Sequence, residues 1–189
     1  MDSGNIGFVL LCAAFVFVMT PGLAMFYGGL VRKKNVVNTM MTSIFIIGIG
    51  IVMWVLFGYS LSFAPSGNAF IGDFRWLGLE GVSLTEGYTD DASIPNMVFS
   101  AFQMMFAVIT PALITGAVAG RMKFKSIFIF TIFWSLIVYY PLAHMVWGQG
   151  GLLGADGIGA LDFAGGDVVH ISSGVSALVL CILLGKRHD

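Results

Sequence analysis

Long apolar runs separated by short charged segments dominate the pattern of this chain. Five stretches contain no Asp, Glu, Lys or Arg, and they cover residues 3–31, 35–72, 92–120, 126–155 and 168–185. Each can hold a helix of about 20 apolar residues, or about 18 with modest mismatch, across a hydrocarbon core of about 30 Å. The pattern therefore predicts an all-α polytopic membrane protein of about five transmembrane helices.

The predicted helices belong to a single transmembrane domain, residues 1–189, with spans near 6–28, 38–63, 95–119, 125–146 and 164–185. Residues 64–94 are rich in Gly, Asp, Glu and Ser and are predicted to form an external loop with some folded structure. Pro21-Gly22 is predicted to interrupt the first span, and Pro111 and Pro141 to kink or loosen the third and fourth. Such breaks survive in a membrane only beside neighbouring protein, so the helices are predicted to pack as a bundle.

Charge sets the orientation of this bundle. Eight of the nine basic residues follow the first, third or fifth span: Arg32, Lys33, Lys34, Arg121, Lys123, Lys125, Lys186 and Arg187. Cytoplasmic loops are enriched in Lys and Arg, so the N-terminus is predicted outside and the C-terminal end in the cytoplasm. The composition agrees, because 10% of the residues are charged where a soluble domain carries about 25%.

One ionisable residue lies deep within an apolar run. His170 stands about 16 residues before Lys186, or roughly 24 Å of helix, which places it inside the membrane and nearer its external half. Ionisable side chains at such depth usually face a bundle interior or a substrate pathway. The alternative is a neutral histidine hydrogen-bonded to a neighbouring helix.

Two acidic residues flank the start of the fifth span. Asp162 is well placed to cap the helix or to attract a cation at its mouth. Asp167 precedes His170 by three positions, close enough on a helix surface to interact with it, and in a shared dry pocket its charge favours protonated imidazole. The alternative for Asp167 is a position facing external water or a subunit contact.

Aromatic residues stand near the external ends of the third and fourth spans. Trp147 is either an anchor at the membrane interface or a ring face for a cation. Phe102 and Phe106 lie at i and i+4 on one face of the third helix, where ordinary packing is the alternative to a binding role. His144, one turn before Trp147, is predicted to be a structural interface histidine.

Polar groups elsewhere in the spans favour structural roles, and no enzyme motif is present. Tyr27 and Gln103 are predicted to bond to protein rather than to a substrate. The chain lacks a GxxxxGK[ST] loop, a CxxC pair and an HExxH motif, and the spacing of His144, His170 and His188 does not suit a metal site. The protein is therefore predicted not to be an enzyme, to use no cofactor and to bind no nucleic acid.

Four ordered motifs spread over nearly the whole chain resemble one family. They are Phe-Tyr-Gly-Gly-Leu-Val-Arg-Lys-Lys-Asn at 26–35, Phe-Gln-x-x-Phe-Ala-x-Ile-Thr at 102–110, Ala-His-Met-Val-Trp-Gly at 143–148 and Ala-Leu-Asp-Phe-Ala-Gly-Gly-x-Val-Val-His at 160–170. Together they resemble the ammonium transporters of the Amt/Mep/Rh superfamily. The Trp-Gly and double-glycine pattern resembles the Amt/Mep branch.

This resemblance implies a homotrimer in which each protomer has its own pore, built from two inverted five-helix halves plus a final helix. The chain resembles the first inverted repeat of such an eleven-helix transporter. Trp147 and Phe102 would belong to an external ammonium-recruitment site, and Asp162 would shape that site electrostatically. Phe106 would be one of two stacked gate phenylalanines, and His170 the first of twin pore histidines.

The chain departs from the family pattern in two places. Asp167 stands where a neutral residue such as Thr is expected, which makes it a candidate modulator of His170. The sequence ends at Asp189, where the second repeat is expected to begin. The second histidine, the second gate phenylalanine and the cytoplasmic tail are then missing, so this chain is expected to supply half of the pore.

The predicted function is ammonium transport across the plasma membrane. A bare cation in a narrow apolar pore pays a large desolvation cost, which ammonium avoids by losing a proton and K⁺ cannot avoid. The alternative is an ammonium sensor coupled to a fused signalling domain, and a helical scaffold without substrate is a third possibility. A PII-type regulator is a further partner that the resemblance suggests.

Overall fold

Five long helices make up the computed structural model, which describes residues 1–65, 68–155 and 157–187; His188 and Asp189 lie outside this range. We number the helices α1 Ser3–Gly29, α2 Lys33–Phe63, α3 Asn96–Val118, α4 Phe124–Trp147 and α5 Gly166–Leu184. All five are long and apolar enough to cross a membrane, and the described residues contain no strand. The prediction of an all-α protein with five membrane-spanning helices is confirmed.

Hydrogen bonds at the two ends of the bundle place the connecting segments on the sides that the charge pattern predicts. At one end, the Asp2 amide donates to the Ser93 carbonyl at 2.8 Å, which joins the N-terminus to the end of the external loop. At the other end, Nη1 of Arg121 donates to the Gly185 carbonyl at 2.8 Å. The basic segments after α3 and α5 therefore meet at the end that Lys and Arg enrichment assigns to the cytoplasm.

The predicted interruption at Pro21 is wrong, because α1 runs without a break from Ser3 to Gly29. Thr20 and Ala24, on either side of the proline, are fully buried where α1 packs against α2 and α3. The neighbouring helices hold this stretch in helical geometry although Pro21 donates no backbone hydrogen bond. Helix α3 is likewise continuous through Pro111.

Three helices contain a wide π-helical turn that the apolar pattern does not reveal. The turns are Trp54–Gly58 in α2, Ser135–Tyr139 in α4 and Gly166–Ile171 in α5. Each holds a backbone hydrogen bond that reaches five residues back, such as that from the His170 amide to the Gly165 carbonyl at 3.0 Å. The turn in α4 ends just before Pro141, so α4 does loosen beside this proline.

The external loop is folded onto the end of the bundle by its aromatic residues. Trp76 stacks on Tyr59 of α2 with ring centroids 5.3 Å apart, and Tyr88 stacks on Phe99 of α3 at 4.8 Å. Phe63, at the end of α2, meets Tyr88 edge to face at 5.6 Å. The described part of the loop is thus a structured cover that brings Tyr88 to the outer ends of α3 and α4.

Candidate functional site

A cavity of about 570 Å³ lies at the external end of the bundle, between α3, α4, the external loop and the segment before α5. We call it the external cavity. Six aromatic residues line it: Tyr88, Phe99, Phe102, Phe106, Trp147 and Phe163. Its volume is in the range of small-molecule sites, and its mouth is open because Gln149 and Phe163 on its wall are exposed to solvent.

Four of the residues singled out from sequence meet in this cavity. Phe102 and Phe106 project from α3 with ring centroids 5.1 Å apart in an edge-to-face pair. Trp147 ends α4, and its indole Nε1 donates to the backbone carbonyl of Asp162 at 3.0 Å. Phe102, Phe106, Trp147 and Asp162 all contribute to the wall. Ring faces there can replace part of the hydration shell of a cation.

The Asp162 carboxylate caps the wide turn that begins α5. Its two oxygens accept hydrogen bonds from the amides of Gly166 at 2.7 Å, Asp167 at 2.9 Å and Val168 at 3.0 Å. Three of the amides that a helix start leaves without partners are satisfied in this way. Asp162 therefore ties the orientation of Trp147, through its carbonyl, to the start of α5, through its carboxylate.

A glycine lets α5 begin close beneath Trp147. Gly165 has φ +81°, a left-handed conformation that side chains disfavour. A Cβ at this position would also lie 2.9 Å from Cγ2 of Val169 and 3.9 Å from the Trp147 ring. The first glycine of the double glycine in the motif at 160–170 is thus explained by the tight entry into α5.

Tyr88 and Gln149 form part of the outer rim of the cavity. The Gln149 amide donates to Oη of Tyr88 at 3.0 Å, and Nε2 of Gln149 donates to the Tyr88 carbonyl at 3.0 Å. Burial raises the pKa of Tyr88 to about 12, although the bond from Gln149 acts in the opposite direction. Tyr88 is therefore a neutral phenol over the physiological pH range.

Sequence reasoning missed Tyr88, Phe99 and Gln149 as parts of the wall. Tyr88 belongs to a loop whose packing follows no helical period, and Phe99 is one of 17 phenylalanines in the chain. Gln149 directly follows the Trp-Gly motif, and its place next to this motif could have indicated that it belongs to the same site.

Gln103 differs from the prediction that it bonds to protein. Its Oε1 is buried and has no hydrogen-bond partner in the described part of the chain, and the residue lines the external cavity. Tyr27 does behave as predicted, since its Oη donates to the Leu113 carbonyl at 2.8 Å.

His170 does not line the external cavity. It lies in the wide turn of α5 with its side chain exposed, on a face that continues through Ile171, Val175, Leu178 and Ile182, which are also exposed. Asp167 is half-buried, and among the described residues no ion pair joins it to His170. The described chain thus brings four of the six predicted site residues together and leaves these two on the fifth helix outside that group.

Comparison with known proteins agrees with the motif analysis. The sequence profile of the Ammonium Transporter Family matches residues 7–189. An ammonium transporter of Bacillus subtilis (strain 168) is 54% identical over 189 residues, which cover 100% of this chain and 46% of that protein. One of Aquifex aeolicus (strain VF5) is 44% identical over 191 residues, covering 100% of this chain and 44% of the relative.

Solved structures share the fold. The crystal structure of Candida albicans Mep2 superposes with a TM-score of 0.88 at 34% identity, covering 100% of this chain and 41% of the other. A structure described as a Sensor Amt Protein gives a TM-score of 0.82 at 28% identity, covering 97% of this chain and 44% of the other. The chain spans about half the length of the curated relatives it matches.

Proposed function

Because this chain belongs to the Ammonium Transporter Family, we propose that it forms the external recruitment site, and part of the pathway, by which ammonium crosses the plasma membrane. The observation that carries the proposal is the external cavity, where Phe102, Phe106 and Trp147 form an aromatic wall beside Asp162. An ammonium ion entering this cavity exchanges water for ring faces, while the acid favours positive charge.

The proposed pathway leads inward past Phe102 and Phe106, whose apolar rings favour passage of the neutral molecule. Phe102 and Phe106 stand at successive turns of α3, so their rings obstruct a hydrated cation on its way inward. Ammonium loses its charge by releasing a proton, whereas K⁺ retains its full desolvation cost. We assign selectivity to this deprotonation.

His170 is proposed to serve the deeper part of the pathway. Its exposed face on α5 is where the part of the relatives' length not covered by this chain is expected to pack. An imidazole between two such halves can donate a hydrogen bond to ammonia or hold the released proton. Asp167 is proposed to modulate His170 by its charge, since both residues lie in the same wide turn.

Two substitutions test this function in the complete protein reconstituted in liposomes. Trp147→Leu is expected to weaken ammonium affinity about 3- to 30-fold, corresponding to a cation–π contribution of about 0.5–2 kcal/mol. Phe133→Leu, on an exposed part of the same helix, is the matched control and is expected to transport normally. His170→Ala is expected to lower ammonium flux or to admit K⁺. Unchanged flux and unchanged K⁺ rejection in both site variants contradict the proposal.

An ammonium sensor is the second candidate, favoured by the likeness to the Sensor Amt Protein. In that case the external cavity binds ammonium and passes the signal to a fused or separate partner. Ammonium binding by the complete protein without measurable current or uptake distinguishes the sensor from the transporter.

The remaining assignments concern assembly. A homotrimer, with one pathway in each protomer, and a PII-type regulator on the cytoplasmic side are proposed from the family resemblance. The basic segments around Lys33, Arg121 and Lys186 supply the charge on that side for an acidic partner surface.

A further inference from the structure

Gln103 is a polar residue in an otherwise aromatic part of the cavity wall. It shares one face of α3 with Phe99, Phe102 and Phe106, at helical spacings of three and four residues, and all four line the external cavity. A glutamine on such an apolar face costs free energy unless its amide has hydrogen-bond partners. Phenylalanine side chains carry no hydrogen-bonding atom, so these neighbours do not supply them.

The side-chain amide of Gln103 makes no hydrogen bond with the residues that the structure describes. Its Oε1 is sealed from water as well, so within the described ranges this buried acceptor has no partner. An unpaired polar atom in the interior destabilises the folded state, and native proteins contain few of them. A ligand that brings an N–H group into the cavity would satisfy this oxygen.

Gln149 shows how protein and solvent satisfy another glutamine of the same cavity. Its Nε2 donates to the Tyr88 carbonyl at 3.0 Å, and its side chain is exposed to solvent at the mouth. Gln103 has no such bond to the described residues, and its Oε1 is not reached by water. The two glutamines therefore differ in what they leave free, since Gln103 alone keeps a buried acceptor without a partner.

The amide of Gln103 can turn its oxygen toward the cavity. The last torsion of a glutamine side chain is broad and roughly two-fold, so a half-turn about it exchanges the places of Oε1 and Nε2. For Gln103 this rotation breaks no hydrogen bond with the described residues. A ligand in the cavity therefore sets the orientation of the amide, because an N–H donor attracts Oε1 and an acceptor attracts Nε2.

We propose that Gln103 is a substrate-binding residue, whose Oε1 accepts a hydrogen bond from an N–H group of ammonium beside the Phe102–Phe106 pair. This inference deepens the proposed function and rests on it, because it assumes that ammonium enters the external cavity. The ring faces replace part of the hydration of the ion without offering an oxygen, and Gln103 offers one. Ammonia keeps N–H donors after the proton has left, so the same bond persists for the neutral molecule, whereas K⁺ has no N–H group.

Ammonium binding by the complete protein in lipid nanodiscs tests this assignment. Methionine is unbranched like glutamine and has no amide, so Gln103→Met removes the acceptor and keeps most of the bulk of the side chain. The variant is expected to bind ammonium about 3- to 30-fold more weakly, because one hydrogen bond from a charged donor is lost. Met104→Leu is the control: Met104 packs against the core and is expected to tolerate leucine with unchanged binding. Calorimetric titration measures the affinities.

Stability without ammonium distinguishes a free acceptor from a structural one. Because Gln103→Met removes an unpaired buried atom, its thermal unfolding midpoint is expected to match the wild type or to exceed it by about 1–4 °C. Gln149→Met is the structural reference, since it loses the bond to the Tyr88 carbonyl and is expected to unfold at a lower temperature than the wild type. A lowered midpoint in Gln103→Met shows that the amide is bonded to another part of the complete protein and overturns the proposal.

Infrared difference spectra report on the oxygen itself. The side-chain carbonyl stretch of Gln103 is identified by its absence in Gln103→Met. In the wild type, this band is expected to move to lower wavenumber when ammonium replaces Na⁺ at equal ionic strength, because the carbonyl then accepts a hydrogen bond. An unchanged band overturns the proposal.

The two proposals fail in different ways. If the wild type binds no ammonium, the proposed function fails, and the role of Gln103 fails with it. If the wild type binds ammonium and Gln103→Met binds it equally well, the role of Gln103 is refuted while the recruitment site stands.

Discussion

At the scale of single residues, Asp162 has a structural role in addition to the effect of its charge on the external cavity. It accepts three backbone hydrogen bonds at the start of α5 and positions the carbonyl that holds Trp147. Its negative charge acts on the cavity while its oxygens are occupied by amides. In the proposed function, the charge of Asp162 therefore acts on ammonium from a carboxylate that already accepts three backbone hydrogen bonds.

Replacing Asp162 and Asp167 in turn separates the capping role of Asp162 from the effect of removing a negative charge. Asp162→Ala is expected to destabilise the protein by about 1–3 kcal/mol, because three amides lose their acceptor, and to weaken ammonium binding through Trp147. Asp167→Ala removes the same charge from a carboxylate without a hydrogen bond in the described chain, and is expected to cost less than about 0.5 kcal/mol. Unfolding followed in detergent checks both values. Equal losses for the two variants contradict the capping role.

Tyr88 offers a second test at this scale. Tyr88→Phe leaves the Gln149 amide without its acceptor and is expected to cost about 0.5–1.5 kcal/mol, while the stacking on Phe99 remains. Because the pKa of Tyr88 is raised to about 12, the folded state keeps the phenol neutral at a pH where an unfolded tyrosine has ionised. The wild type is therefore expected to lose stability as pH rises between about 10 and 12, and Tyr88→Phe to lose less. An unfolding series over this pH range checks the difference.

At the scale of helices, two glycines of α2 have opposite surroundings. A Cβ on Gly58 would lie 2.7 Å from the Tyr140 ring, so this glycine allows α2 and α4 to approach closely. Gly48 has nothing within 4 Å of the same position. The two residues thus form a matched pair within one helix.

Alanine distinguishes these glycines. Gly58→Ala is expected to destabilise the protein by about 1–3 kcal/mol, because the Tyr140 ring has to move in a packed core. Gly48→Ala is expected to be neutral or stabilising by up to about 1 kcal/mol, because alanine favours helix over glycine and meets no neighbour. Thermal unfolding in detergent gives both values, and a smaller cost at position 58 than at 48 contradicts the packing described here.

The helices show what a sequence pattern can and cannot predict. Runs without charge locate all five spans, because a membrane excludes charge along the whole length of a helix. The wide turns at Trp54–Gly58 and Ser135–Tyr139 cannot be predicted from the sequence pattern. A wide turn changes the phase of the apolar and polar positions along a helix, but helices that are apolar on most faces have little such periodicity. The interruption predicted at Pro21 is wrong because neighbouring helices, rather than the local sequence, determine whether the helix continues.

The site divides in the same manner. Motif residues such as Phe102, Trp147 and Asp162 are recognisable by their resemblance to the motifs of the family, and they do meet in the external cavity. Tyr88 reaches the same cavity through the fold of a loop, which no spacing rule describes. The ring nitrogens of His144 lie within hydrogen-bond distance of the carbonyls of Ser62 and Asn68, which are far away in sequence, so these contacts become visible only in three dimensions.

At the scale of the whole molecule, the bundle has two chemically different ends. The external end carries a folded aromatic cover and the N-terminus, and the opposite end carries the basic segments. The exposed face of α5 that includes His170 joins these ends along one side. We expect that side to contact further protein rather than lipid, because histidine at this depth is costly in hydrocarbon.

Cysteine labelling tests the orientation of the whole chain in intact cells. After replacement of Cys12 and Cys181 by Ser, a Ser93→Cys variant is expected to react with an impermeant maleimide from outside. Lys123→Cys, at the basic end, is expected to react only after the membrane is permeabilised. Reversed reactivity of the two variants contradicts the assigned topology.

The wide turns have a consequence for how these spans tolerate changes of length. A turn that bonds five residues back contains one residue more than an ordinary turn needs, as the amide of His170 shows by reaching Gly165. Deleting one residue there can close an ordinary turn and leave the rest of the span in register, whereas a deletion elsewhere rotates every later side chain by about 100°. A deletion in the segment around His170 would therefore disturb the packing of α5 less than a deletion elsewhere in the helix. The same deletion would shift the position of the imidazole.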